Sequence, residues 1–187
     1  MNITTDQLHA MIPLATDKNI AKFLVPLNNA MFEFNVNTPL RVAAFIAQIS
    51  HESGSLHYVE EIADGSAYEY RKDLGNLRPE ALAIAHSNHS TTGRWYKGHG
   101  LIQITGYDNH LACGTALQID CINNPKLLTE PVNSARSAAW FWKTHNCNTL
   151  ADIGMFDKIS RVVNGGTTWQ ESRRANYKLC CDVLGVS

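Results

Sequence analysis

The stretch Thr38-Pro39-Leu40-Arg41-Val42-Ala43-Ala44-Phe45-Ile46-Ala47-Gln48-Ile49-Ser50-His51-Glu52-Ser53-Gly54 decides the architecture of this 187-residue chain. The Thr38 hydroxyl can accept from a free N–H of a first helical turn, and the fixed φ of Pro39 suits the first helical position. From Leu40 to Ser50 apolar side chains fill nearly every position, so this helix has no broad polar face and belongs in the centre of the molecule. Gly54 and its polar neighbours end the run. His51, Glu52 and Ser53 therefore fall at the C-terminal edge of a buried helix.

Working outward, most other elements also read as helices. Thr5-Asp6 opens a short amphipathic stretch that Pro13 interrupts, and Thr16-Asp17 opens another through Ala21, Phe23 and Leu24, both at the periphery. Pro79 to Ala85 is a further helix, set among turns at Asp64-Gly65, Leu74-Gly75 and Thr92-Gly93. Leu101-Ile102-Gln103-Ile104-Thr105, between Gly100 and Gly106, is short and partly alternating and reads as a small strand. Three helices follow it: Ser134 to His145, Asp152 to Val163 before Gly165-Gly166, and Thr168 to Leu184 before Gly185. The fold class is mainly α with a small β element, in one domain spanning residues 1–187.

Composition narrows the function classes. Hydrophobic residues are 44% and charged residues 18%, the balance of a folded globular chain. A formal net charge of -1, with scattered Lys and Arg, gives no footprint for nucleic acid. Asp6, His9, Asp17 and Lys18 break up the first twenty residues, so neither a secretory apolar run nor a membrane span is expected there. The five cysteines, Cys113, Cys121, Cys147, Cys180 and Cys181, form an odd set without CxxC spacing and read as free thiols of a reducing compartment. A pair that bridges after release remains open.

Cutting a glycosidic bond needs one carboxylic acid to protonate the leaving oxygen and a second group to supply the nucleophile. Glu52 fits the acid, because burial and the negative end of a helix both disfavour its charged form. Glu60 and Glu61 follow in a short polar segment and can face Glu52 across a cleft, where a gap of roughly 6.5–9.5 Å admits an attacking water. Downstream, Tyr96-Lys97-Gly98-His99-Gly100-Leu101-Ile102-Gln103-Ile104-Thr105-Gly106 places glycines where backbone can approach a ligand and offers Gln103 and Thr105 for a water or an acetamido sugar. Tyr58, Tyr68, Tyr70, Trp95, Tyr96 and Tyr107 are candidates for stacking on sugar faces, two or three of them exposed, whereas Trp140, Phe141 and Trp142 read as core. A zinc hydrolase needs a second histidine where Ser55 stands, and Gly98-His99-Gly100 lacks the third glycine of a dinucleotide site.

The segments Phe45 to Gly54, Gly98 to Thr105, Asn164-Gly165-Gly166 and Tyr177 to Val186, in that order, resemble glycoside hydrolase family 19, the chitinases and related lysozyme-like endolysins. The resemblance runs from about Pro39 to Val186. It implies a lysozyme-like helical fold, a small β element lining a substrate cleft, inversion at the anomeric carbon, and no metal or organic cofactor. By position, Glu52 matches the acid that follows a histidine, His51. Glu61 matches the base, and Thr105 the hydroxyl that helps hold the water. Gln103, Asn109 and Asn164 match polar residues of the cleft and Arg173 a basic residue near the end; Tyr96 and His51 complete the expected substrate contacts. Two departures stand out: His99 occupies a position where the family usually has arginine, and Glu60 beside Glu61 leaves the register of the base open by one residue.

On this resemblance the expected substrate is a β-1,4-linked N-acetylated polysaccharide, bacterial peptidoglycan first and chitin second. The expected setting is a monomeric endolysin made in the cytoplasm that reaches the wall after release, without inserting into the membrane. An interbacterial toxin with a cognate immunity protein has the same sequence features. A sugar-binding protein on the same fold is the non-enzymatic alternative.

Overall fold

The computed structural model describes residues 1–166 and 168–186. In chain order the helices are α1 (Thr5–Met11), α2 (Asp17–Glu33), α3 (Pro39–Glu52), α4 (Pro79–Ser87), α5 (Thr92–Trp95), α6 (Tyr107–Leu117), α7 (Pro131–Thr144), α8 (Cys147–Asp152), α9 (Phe156–Asn164) and α10 (Gln170–Leu184). Single 3-10 turns lie at Ser66–Tyr68, Lys72–Leu74 and Pro125–Thr129. The fold is mainly α, as the sequence predicts.

Helix α3 begins as expected, with the Thr38 hydroxyl accepting from the Arg41 N–H at 3.3 Å and Pro39 in the first turn. Nine consecutive residues, Val42 to Ser50, are buried. Each large apolar side chain so enclosed contributes about 1.5–3 kcal/mol. Around it pack α10, α8 and α9, while α2 lies on α7, and α1 touches both α2 and α10. Phe45 meets Trp142 of α7 edge-on, ring centroids 5.3 Å apart. The Trp142 indole N–H donates to Asn148 at 2.9 Å, and Asn148 in turn donates to the Phe34 carbonyl, so the buried polar edge of the ring is satisfied. A second, smaller cluster of Ala81, Tyr96 and Tyr107 supports the segment between α3 and α6.

Several elements differ from the sequence reading. Helix α2 continues past Leu24 and through Pro26 to Glu33. Fully buried Leu27, Ala30 and Met31 offset a proline cost of about 3 kcal/mol. Thr92-Gly93 is not a free turn but opens the short α5. The expected strand Leu101–Thr105 is a tight turn, and the β element consists of the isolated bridges Glu60–His99 and His99–Ile104. Gln103 takes a φ of 58°, which no extended strand allows. The helix expected from Asp152 to Val163 starts only at Phe156 as α9, because Asp152 ends the separate helix α8 and the chain turns at Gly154. No described helix is long and apolar enough to cross a membrane.

Candidate active site

Helix periodicity puts Gln48 and Glu52 on one face of α3, four residues apart. Arg173 of α10 lies against that face and donates through one guanidinium nitrogen to Glu52 Oε1 and through the other to Gln48 Oε1. The Arg173 side chain is 1% exposed and that of Glu52 18%, so a buried cation meets a mostly buried carboxyl group. Gln48 passes the network on, donating to Ser160 Oγ of α9 at 2.7 Å. The sequence predicts burial and a helix end around Glu52, both disfavouring its charged form; the structure adds the positive charge of Arg173, which opposes them.

The chain then reverses over eight residues to reach Glu61. Ser53 anchors the reversal: its hydroxyl accepts from the Leu56 N–H at 2.8 Å, and its carbonyl accepts from the N–H groups of His57 and Tyr58. Buried Leu56 pins the middle to the core. At the far end, the Gly100 N–H donates to the Val59 carbonyl and the Glu61 N–H to the Gly98 carbonyl, each at 2.8 Å. The Glu61 carboxylate accepts from the Tyr68 hydroxyl on Oε1 and from the Gly98 N–H on Oε2, both at 2.9 Å.

Glu60 is engaged differently. Its carboxylate pairs with Lys97 at 2.9 Å and faces Lys126 at 3.9 Å. Burial works to raise its pKa, but the Lys97 hydrogen bond and the nearby lysine charges outweigh it and hold the group below the usual range. Two adjacent glutamates thus have separate surroundings: Glu60 an ion pair, Glu61 a backbone amide and a phenol.

Gln103 lies beside Glu61, and Thr105 and Asn109 follow it in a chain of hydrogen bonds. A Cβ on Gly98 would lie 2.5 Å from Gln103 Oε1 and 3.2 Å from Glu61 Oε2, which shows how closely both side chains approach that backbone. Gln103 donates to the Gly100 carbonyl, the Thr105 hydroxyl to the Gln103 carbonyl, and Asn109 to the Thr105 carbonyl, at 2.8–2.9 Å. Asn164 ends α9 and donates to the Thr168 carbonyl at 3.3 Å. His51, one residue before Glu52, lines a cavity of about 240 Å³ with Pro13, Ser55, Ser172 and Asn176. Burial first, then the Arg173 charge, lowers its pKa.

Tyr96 corrects the expectation of a substrate contact. It is fully buried against Tyr107 and His110, and its hydroxyl donates to the Ile122 carbonyl at 3.2 Å. Of the other aromatics, Tyr58 and Tyr70 are exposed, Tyr107 is core, and Trp142 is buried as expected. His99 is also enclosed. The Gly106 carbonyl can only accept, so His110 carries its proton on Nδ1, and its Nε2 accepts from His99 Nδ1–H at 3.2 Å. Burial pushes His99 down to about 4 and His110 down to about 3, so this position holds a neutral pair near pH 7.

The sequence reading passed over Gln48, Asn76 and the role of Tyr68. Gln48 had a signal, as a lone amide in an apolar run four residues before Glu52. Asn76 had none, since a Gly-Asn turn is ordinary loop sequence. A separate cavity of about 850 Å³ lies between α9 and α10, with Phe156, Asp157, Arg161 and Tyr177 in its wall and none of the expected site residues.

Comparison with known proteins bears on this geometry. Residues 34–153 match the model of the family 19 glycoside hydrolases, described as chitinase class I. Endochitinase 1 of Gossypium hirsutum is 31% identical over 176 residues, covering 78% of this chain and 54% of its own length. The chain thus spans about half the length of the curated relatives it matches. In fold, 99% of the chain superimposes on 96% of a bacterial family 19 chitinase with a TM-score of 0.78 at 24% identity. It likewise superimposes on 77% of chitinase C from Streptomyces griseus HUT6037, with a TM-score of 0.75 at 22% identity. The family model covers well over half of the chain in the region that carries Glu52, Glu61 and Thr105, and the chain belongs to glycoside hydrolase family 19.

Proposed function

We propose that this protein hydrolyses β-1,4 bonds of an N-acetylated polysaccharide by single displacement with inversion. The observation that carries the reading is the contrast between two carboxylates in a family 19 chain: Glu52 on the end of α3 beside Arg173, and Glu61 on the following reversal under Tyr68 and Gly98. Glu52 gives its proton to the glycosidic oxygen as the bond breaks. Glu61 takes a proton from the water that attacks the anomeric carbon from the opposite face, and Thr105 helps hold that water. Gln103, Asn109 and Asn164 serve as contacts to the sugar and its acetamido group.

The finer proposal is bacterial peptidoglycan. Ile62, next to Glu61 in the chain, is 79% exposed, which supports an open surface beside the base. A glycan with a peptide stem on alternate sugars needs such an opening. Chitin is the second reading, favoured by the names of the plant relatives, which are endochitinases.

Wild type, Glu52→Gln, Glu61→Gln and Glu60→Gln are incubated with purified peptidoglycan and with chitin oligomers, and the products and the first anomer formed are identified. The expectation is α-anomer release by wild type, a loss of about 10²–10⁴-fold for Glu52→Gln and Glu61→Gln, and a change within a few fold for Glu60→Gln. Retention of the β-anomer, or loss only in Glu60→Gln, refutes the assignment. Faster turnover of chitin oligomers than of peptidoglycan selects the second substrate.

A further inference from the structure

We propose that Tyr68 is a positioning residue for Glu61, held in place by the buried amide of Asn76; the inference rests on the reading of Glu61 as the base. An ionised carboxylate offers about four lone-pair directions. One on Oε2 is taken by the Gly98 N–H and one on Oε1 by the Tyr68 hydroxyl, so the carboxylate plane cannot rotate. The remaining lone pairs are left to face a water. A hydroxyl donor also favours the charged form, which is the form a base needs.

The hydroxyl is delivered by backbone that the fold clamps from two sides. Fully buried Asn76 donates through Nδ2 to the Tyr68 carbonyl at 2.8 Å and accepts through Oδ1 from the Tyr107 N–H at 2.9 Å. One amide thereby joins the Tyr68 turn to the start of α6, two residues beyond Thr105. On the other side Gly93 lies flat against the same turn, where a Cβ would come within 3.0 Å of the Tyr68 carbonyl carbon and 2.5 Å of the Gly65 oxygen. Both sides of the proposed water site, the base and the threonine segment, are therefore referenced to one buried side chain.

Charged neighbours are Lys97, whose ammonium donates to the Glu61 carbonyl and pairs with Glu60, and Arg71 near the phenol. Neither is an alternative donor to the Glu61 carboxylate among the described residues. Burial, then the hydrogen bond and charge of Glu61, keep the Tyr68 phenol above its ordinary range, so it remains a donor through alkaline pH.

The test is Tyr68→Phe, which removes one oxygen and keeps the ring. On whichever substrate wild type turns over, kcat falls about 10–100-fold, KM changes less than about twofold, and the acidic limb of the kcat profile moves to higher pH. In the Glu61→Gln background the same substitution has no further effect on kcat. A readout that needs no turnover is the Gly98 amide resonance, which reports on the other carboxylate oxygen. Its pH-dependent shift moves upward in Tyr68→Phe and disappears in Glu61→Gln. Unchanged kcat and an unchanged Gly98 titration in a folded Tyr68→Phe protein overturn the proposal. If wild type cuts no glycan at all, the reading of Glu61 as the base fails, while the resonance still decides whether Tyr68 orients that carboxylate. Should Tyr68→Phe not fold, Asn76→Asp, which loses the donor to the Tyr68 carbonyl, is held to the same two readouts.

Discussion

A guanidinium that is 1% exposed is stable only while its partners stay in place, and for Arg173 these are Glu52 and Gln48. Removing the cation leaves a mostly buried carboxylate and an amide oxygen without their donor. Arg173→Met is therefore expected to cost roughly 3 kcal/mol in urea denaturation. The double variant with Glu52→Gln is expected to cost less than the sum of the two single changes. A single-variant cost under about 0.5 kcal/mol shows that the pair does not hold Glu52. Glu52 itself is legible in the sequence, because an apolar run with a clear start and stop leaves its last polar residue at the rim. Its partner was reached only by resemblance, since 121 residues separate them and no periodicity connects α3 to α10.

Among the elements, the segment from Gly98 to Gly106 sets the spacing of the site, and a methyl group tests it. Ala at Gly98 directs its Cβ at the Gln103 amide and the Glu61 carboxylate. The Gln103 side chain can swing away at the expense of its bond to the Gly100 carbonyl, so Gly98→Ala should fold, lose only a few degrees in Tm, and turn over about tenfold more slowly. Wild-type turnover in that variant means the close approach is incidental. This segment is also where the sequence misleads. Leu101 to Ile104 has the β-branched content of a strand, but Gly100 and Gln103 adopt positive φ and fold it into a turn closed by the His99–Ile104 bridge. Helix α6 was missed for a related reason: Tyr107-Asp108-Asn109-His110 carries turn-forming residues, and buried Tyr107 and His110 hide a helical face among polar neighbours. Helices α3 and α4 were readable because each begins at a proline, whereas α7, expected from Ser134, starts three residues earlier at Pro131.

For the whole molecule, the enclosed His99–His110 pair sets a limit on acid tolerance. Both groups titrate lower in the folded protein than the ordinary value of about 6.5, to about 4 and about 3. The unfolded chain therefore takes up protons first as pH falls. Stability is complete above about pH 6.5 and declines below it, by about 1.4 kcal/mol per pH unit for each histidine, until the folded protein also takes up protons near pH 4 and pH 3. Urea midpoints measured from pH 7 to pH 4 should fall steeply in wild type and less steeply in His110→Gln; equal slopes remove the pair as the cause. Glu52 and Arg173 lie 121 residues apart along the chain. A ribosome must complete α10 before the cation can reach the acid, so a nascent polypeptide that has already exposed α3, the Glu61 turn and the threonine segment still has an unfinished catalytic centre. Assembly of the site waits for α10, and a chain that stops between α9 and Gln170 holds Glu52, Glu61 and Thr105 but lacks the guanidinium that pairs with Glu52.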